Sequence, residues 1–156
     1  MAARLRHRLD LARPLTQRHQ APQFLRAAAV AVVAPALLRL PLDRVPRLVG
    51  RRRRGTADTS AAVADIVATA DAAIAALHPI TRWGCLTAGV TRYDALRRAG
   101  IAVDLCFGVN ATAPDALVRL GAEGRVGHCW LELDGEPVAE PRDPRALYTE
   151  TFRLRP

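Results

Sequence analysis

Cys85, His128 and Glu140 are the residues whose types and order could do covalent chemistry in this chain. Cys85 follows Trp83-Gly84 and opens a stretch with helical apolar spacing. His128 starts the alternating run His-Cys-Trp-Leu-Glu-Leu, and Glu140 comes twelve residues later, beyond Asp134-Gly135. A thiol at a helix N-terminus faces unpaired N–H groups and the positive end of the helix dipole, which favour thiolate over thiol. A neighbouring imidazole deepens that preference and later returns its proton to a leaving amine. An acid on the far ring nitrogen fixes the tautomer. Such a set hydrolyses an amide, or transfers the acyl group when an amine replaces water. The Cys85 N–H is placed to bind the oxyanion, with the Arg82–Gly84 turn, which contains Trp83, as the candidate second donor and Trp130 as a wall of the site.

Each member alone is commonplace: a buried helical cysteine, a strand histidine, an edge carboxylate. The ordered combination carries the signal. His7 and His19 lie in an Arg-rich start and His78 precedes a proline, so His128 is the histidine placed to serve as base. A zinc site built from Cys85, Cys106, Cys129 and His128 lacks any short ligand spacing, and adjacent strand residues point to opposite faces. Cys106 and Cys129 read as small core hydrophobes. Neither a P-loop nor a Gly-rich dinucleotide motif is present, so neither metal nor cofactor is expected.

The elements around these residues follow from pattern. Cys85–Ala99 reads as a helix with Gly100 as its C′ residue. Residues 101–109 read as a strand with Val103, Leu105 and Phe107 on one face, and residues 128–133 as a second strand. Asp134-Gly135 is a hairpin signal, and residues 137–140 begin a third strand. A two-residue loop would pair Cys129 with Glu140 and point the acid away from His128. A three-residue loop with a bulge at Gly135 would pair Trp130 with Glu140 and bring the acid diagonally to His128; the triad reading requires this second register. Asp143 is the reserve acid, Glu132 an ion-pairing residue, and Asp134 part of the turn. Residues 110–127 read as loop with a short helix around Pro114–Leu120. Upstream, Gln23–Val33 reads as a helix, with Pro35 starting or kinking another, and Ala61–Leu77 as a helix capped by Thr59 or Ser60. Helices followed by an antiparallel sheet make an α+β domain.

At 156 residues, 50% apolar and 24% charged, the chain is one domain's worth of ordinary globular sequence. All its basic residues are arginine. The net charge of +8 is uneven: residues 1–54 carry 13 Arg against Asp10 and Asp43, while residues 55–156 carry 10 Arg against 13 acids. The excess belongs to an N-terminal segment, and the part holding the candidate site is mildly acidic. The longest apolar run, Ala27–Leu38, has 12 residues and contains Pro35, short of the roughly 20 a membrane span needs. Residues 24–48 could still touch a membrane peripherally. Arg51–Arg54 form a basic patch without interleaved aromatics, which argues against nucleic acid. Three cysteines with no C-x-x-C spacing fit a reducing, cytoplasmic setting.

One resemblance is specific. Cys85-Leu86, the helix end Leu96-Arg97-Arg98-Ala99-Gly100-Ile101, the strand end Phe107-Gly108-Val109, and Gly127-His128-Cys129-Trp130-Leu131-Glu132-Leu133-Asp134-Gly135 resemble the lasso-peptide biosynthesis B protein. The likeness spans roughly residues 80–140, and the Arg-rich helices of residues 1–50 also look like that family's N-terminal region. It implies a papain/transglutaminase-like fold, with a catalytic helix packed on a small antiparallel sheet and preceded by N-terminal helices. It also implies a cysteine peptidase that removes the leader from a ribosomally made precursor peptide. The family usually has alanine where Cys129 stands and aspartate where Glu140 stands. Residues 1–54 are too short for the fused leader-recognition domain of some members. The resemblance therefore implies the stand-alone protease half, with residues 55–156 as the protease domain and residues 1–54 as a docking segment. Its partners would be a separate leader-binding recognition protein and a downstream ATP-dependent lactam cyclase. Two other readings stand beside it: acyl transfer by the same residues, and a non-catalytic adaptor whose basic N-terminus binds peptide, nucleic acid or membrane.

Overall fold

A computed structural model of the chain describes residues 20–37, 60–78, 84–110 and 127–156. Three helices precede a four-stranded antiparallel sheet of order β3-β2-β1-β4, the α+β arrangement expected. The helices are α1 (Ala21–Leu37), α2 (Ser60–Ala76) and α3 (Cys85–Arg98). The strands are β1 (Asp104–Asn110), β2 (Gly127–Leu133), β3 (Glu136–Val138) and β4 (Tyr148–Leu154).

Helix α1 is longer than its sequence suggests, because Pro35 neither ends it nor starts another. Proline breaks a helix through its missing N–H and its clash with the preceding turn. Here the helix runs through it to Leu37, the last residue of this described segment. The buried face of α1 is nearly all small: Ala27, Ala31 and Ala34 with Val30 and Phe24. Small side chains let three helices approach closely. Phe24 and Ala27 meet Ala70 and Ala73 of α2, and Val30 and Ala34 join Val63, Val67, Val90 and Leu96 in the main core. The boundary drawn between residues 54 and 55 falls outside the described residues, as do Arg51–Arg54 and residues 111–126. Of the stretch 110–127 expected as loop, Asn110 ends β1 and Gly127 begins β2.

Helix α3 starts at Gly84 with no side-chain cap and ends in a Schellman motif. Ile101 donates to the Leu96 carbonyl and Gly100 to that of Arg97, both at 3.1 Å, with Gly100 at φ 91°. The chain that follows enters the sheet at Asp104, later than the residue 101 that the sequence suggests. It turns Val103, just before β1, and Leu105, within it, toward the helices, together with Cys129, Leu131 and Leu154. The opposite face of the sheet carries a smaller cluster of Cys106, Trp130 and Tyr148. Gly108 is required there, because a Cβ would sit 2.8 Å from Cζ3 of Trp130 and 3.0 Å from the Thr149 carbonyl oxygen. On the same face Glu132 pairs with Arg153 at 2.8 Å, as its ion-pairing role predicts, and Arg153 also holds Asp104 and Glu150.

The hairpin corrects the register that the triad reading required. Leu133 pairs with Glu136 and Leu131 with Val138, so the loop is the two residues Asp134 and Gly135. Both have positive φ, 53° and 85°, the signature of a type I′ turn. That turn matches the twist of the flanking strands without a bulge, so the Asp-Gly signal outweighs the longer loop. β3 ends at Val138, and Ala139 adopts φ 59°.

Candidate active site

The nucleophile candidate sits where helix chemistry places it. Cys85 is the first residue of α3, and Ala88 makes the first helical bond back to Gly84, at 3.1 Å. The amides of Cys85, Leu86 and Thr87 therefore lack helical carbonyl partners. The half-buried thiol points toward the Gly127 carbonyl oxygen, 4.0 Å away. Its pKa is lowered, foremost by the neighbouring His128 imidazole and against the opposing effect of burial; the backbone N–H groups of Cys129 and Leu86 add to the lowering.

His128 receives an acid on its other side. Nε2 lies 3.1 Å from Oε2 of Glu140, and both side chains are almost enclosed. Nδ1 is buried with no directed hydrogen-bond partner of its own, which leaves it for the thiol's proton. The His128 pKa is raised to about 9, first by the Cys85 thiolate and then by Glu140, both outweighing burial. Tyr148 packs on the ring, centroids 5.1 Å apart, and Trp130 stacks behind it at 6.2 Å. A lowered thiol beside a raised imidazole is the condition for a thiolate–imidazolium pair, whose two protons come off as a coupled system.

Glu140 reaches His128 by a route the register argument did not contain. Continued alternation in the two-residue hairpin would set Glu140 opposite Cys129, on the helix-facing side. Pairing stops at Val138, and the left-handed Ala139 reverses the direction of the next side chain. An L-residue in that conformation costs about 1–2 kcal/mol. The cost is offset only if surrounding contacts hold the kink.

Cys85, His128 and Glu140 line one cleft of about 670 Å³, together with Gly84, Arg92 and Asp71. Trp130 does not wall it: the side chain is 1% exposed, lies beneath the imidazole on the far face, and donates to Glu132 at 3.0 Å. Trp83 lies outside the described residues. The reserve acid Asp143 is engaged elsewhere, accepting from the Arg145 amide at 2.9 Å and pairing with its guanidinium. The other two thiols are poor nucleophiles. Burial pushes Cys106 up to about 12 and holds Cys129 well above the ordinary thiol value. Ligand atoms of Cys106, Glu132 and Glu150 do converge within 4.8 Å, but Arg153 pairs with both carboxylates.

Three neighbours of the site escape the sequence reading. Tyr148 comes from β4, whose Tyr-Thr-Glu-Thr-Phe-Arg-Leu run has strand composition; an extra residue at Thr151 breaks its alternation. Arg92 and Asp71 sit mid-helix, where no local signal separates a cleft residue from a solvated one.

A thiol at a helix N-terminus lies beside an imidazole from the sheet and a carboxylate from the segment after β3, an arrangement suited to cysteine-based acyl chemistry. A family model described as the transglutaminase-like superfamily matches residues 27–153, and the chain belongs to that superfamily. Its general chemistry is that of cysteine proteases and acyl transferases. Searches of the curated proteins and of the solved structures returned no significant match.

Proposed function

We propose that this protein is a cysteine peptidase that removes the leader from a lasso-peptide precursor before macrolactam formation. The observation that carries the reading is the imidazole of His128 held between the Cys85 thiol and the Glu140 carboxylate at the edge of an open cleft. The Cys85 thiolate attacks the scissile carbonyl and a thioester forms as the C–N bond breaks. His128 gives its proton to the departing amine and then takes one from the water that hydrolyses the thioester. Glu140 keeps the ring oriented through both steps. The N–H groups at the start of α3 supply oxyanion donors.

The lasso assignment draws on the sequence likeness around Cys85 and Gly127–Gly135, and on the Arg-rich helices that precede them. On this reading the protein works in the cytoplasm with a separate leader-binding protein and passes its product to an ATP-dependent cyclase. Among the described residues no helix is long and apolar enough to cross a membrane. Leu25, Val32 and Val33 are exposed on α1, which supports this helix as part of the docking surface or of a peripheral membrane contact. Acyl transfer by the same residues is the second reading, favoured by the superfamily's mixed chemistry.

Mass spectrometry of a precursor peptide incubated with the protein and its leader-binding partner tests both. Hydrolysis gives leader and core with a free carboxylate on the leader, and Cys85→Ala gives neither. A leader fragment carrying an added amine would decide for transfer. An intact precursor under conditions where Cys85 remains reactive would overturn the leader-peptidase assignment.

A further inference from the structure

Arg92 of α3 donates Nε and Nη2 to the two carboxylate oxygens of Asp71 on α2, at 2.8 and 3.0 Å. Its remaining terminal nitrogen, Nη1, reaches the Ala139 carbonyl oxygen at 3.5 Å. Arg92, Asp71 and Ala139 line the same cleft as Cys85, His128 and Glu140. Ala139 is also the residue whose positive φ turns Glu140 onto the imidazole. Alanine has no intrinsic preference for that conformation, and strand pairing has already ended one residue earlier. A guanidinium fixed in its plane by a bidentate carboxylate presents its Nη1 N–H groups in set directions, which a lysine could not do.

The geometry points to Arg92 as the positioning residue of this site: anchored on Asp71, it holds the Ala139 carbonyl, keeps the backbone kink in place and so keeps Glu140 against His128. The inference rests on the triad reading above and concerns how the triad is assembled. The groups facing the imidazole are Cys85 from α3, Glu140 from the segment after β3, and Tyr148 from β4. Arg92 acts on the ring through Glu140. Asp71 also neutralises the guanidinium, so the tether adds no net positive charge beside an imidazole that must itself become positive.

The test is the titration of the His128 ring, followed by NMR in the full chain, for wild type, Arg92→Gln, Glu140→Gln and the double variant. Wild type is expected to titrate near 9. Arg92→Gln is expected to shift the midpoint down, approaching that of Glu140→Gln. The double variant is expected to coincide with Glu140→Gln alone, since both changes act at one contact. Asp71→Asn, at a half-exposed position, is expected to give a smaller shift in the same direction and covers the case in which Arg92→Gln fails to fold. Superposition of the Arg92→Gln and Asp71→Asn curves on wild type would overturn the inference while leaving the triad standing. A double variant shifted by the sum of the two single effects would do the same. A wild-type ring titrating at the ordinary histidine value, unmoved by Glu140→Gln, would remove the triad and this inference with it.

Discussion

The sulfurs of Cys85, Cys106 and Cys129 are the same atom in three surroundings, and the surroundings decide which one reacts. Cys85 has an imidazole and two amide N–H groups beside it, whereas burial raises the pKa of the other two. Iodoacetamide at pH 7 is therefore expected to label Cys85 rapidly in the folded protein and the other two only in denaturant, as read by peptide mass mapping. Equal labelling of all three would contradict this. Glu140→Gln keeps the size of the side chain and removes its charge. It is expected to lower kcat by about 10²–10⁴-fold, the span that positioned acid–base groups supply, with KM little changed. The pH dependence follows from His128, whose pKa is raised to about 9 in the fold. Its charged form is favoured by folding, so its stabilisation is complete below the unfolded value of about 6.5 and is lost as the pH rises through 9. Cys85, whose pKa is lowered, contributes with the opposite sign over this range. The His128 contribution is therefore read in the Cys85→Ala background, where Glu140 still raises the imidazole. Urea midpoints should fall there as the pH rises above about 6.5, and fall less when Glu140→Gln is added.

At the scale of elements, the sequence made some pieces legible and hid others for physical reasons. Helix α3 with its Gly100 terminus, strands β1 and β2, and the Asp-Gly turn each carry local signals that the structure keeps. The order cysteine, strand histidine, acid was legible too, and the three side chains line one cleft, although Glu140 lies beyond β3 and not on it as the sequence suggests. The path of Glu140 was not. A left-handed alanine leaves no trace in composition, so the reading sought a longer loop where the chain uses a kink. β4 was hidden by its bulge at Thr151, whose hydroxyl bonds the Phe107 carbonyl at 3.2 Å. The sheet also explains Gly108, whose missing side chain makes room for Trp130. Gly108→Ala should destabilise the protein by about 1–3 kcal/mol, the range for overpacking. Urea denaturation checks this, and an unchanged midpoint would show that Trp130 can move aside.

For the molecule as a whole, the charge excess belongs to residues 1–54, and α1, which lies within that segment, is built into the core. Ala34 and Val30 pack with residues of α2 and α3, and the family match already begins at residue 27. An ion pair reinforces the packing: buried Asp94 of α3 accepts from Arg26 of α1 at 3.0 Å and from Arg98 at 3.3 Å. Asp94→Ala should cost about 1.5–3 kcal/mol by urea denaturation, as for hydrogen bonds to charged groups. A chain starting at residue 55 should lose its cooperative unfolding transition, seen by circular dichroism, because the core faces of α2 and α3 would be uncovered. Full cooperativity in that fragment would show that α1 is dispensable to the core.

The most direct test traps the covalent intermediate. Acid quenching of the protein with its peptide substrate, followed by intact-mass and peptide mapping, should reveal the acyl fragment as a thioester on Cys85. His128→Ala should abolish it. Undiminished peptide cleavage by Cys85→Ala, with no adduct on the wild-type sulfur, would contradict the account at its centre.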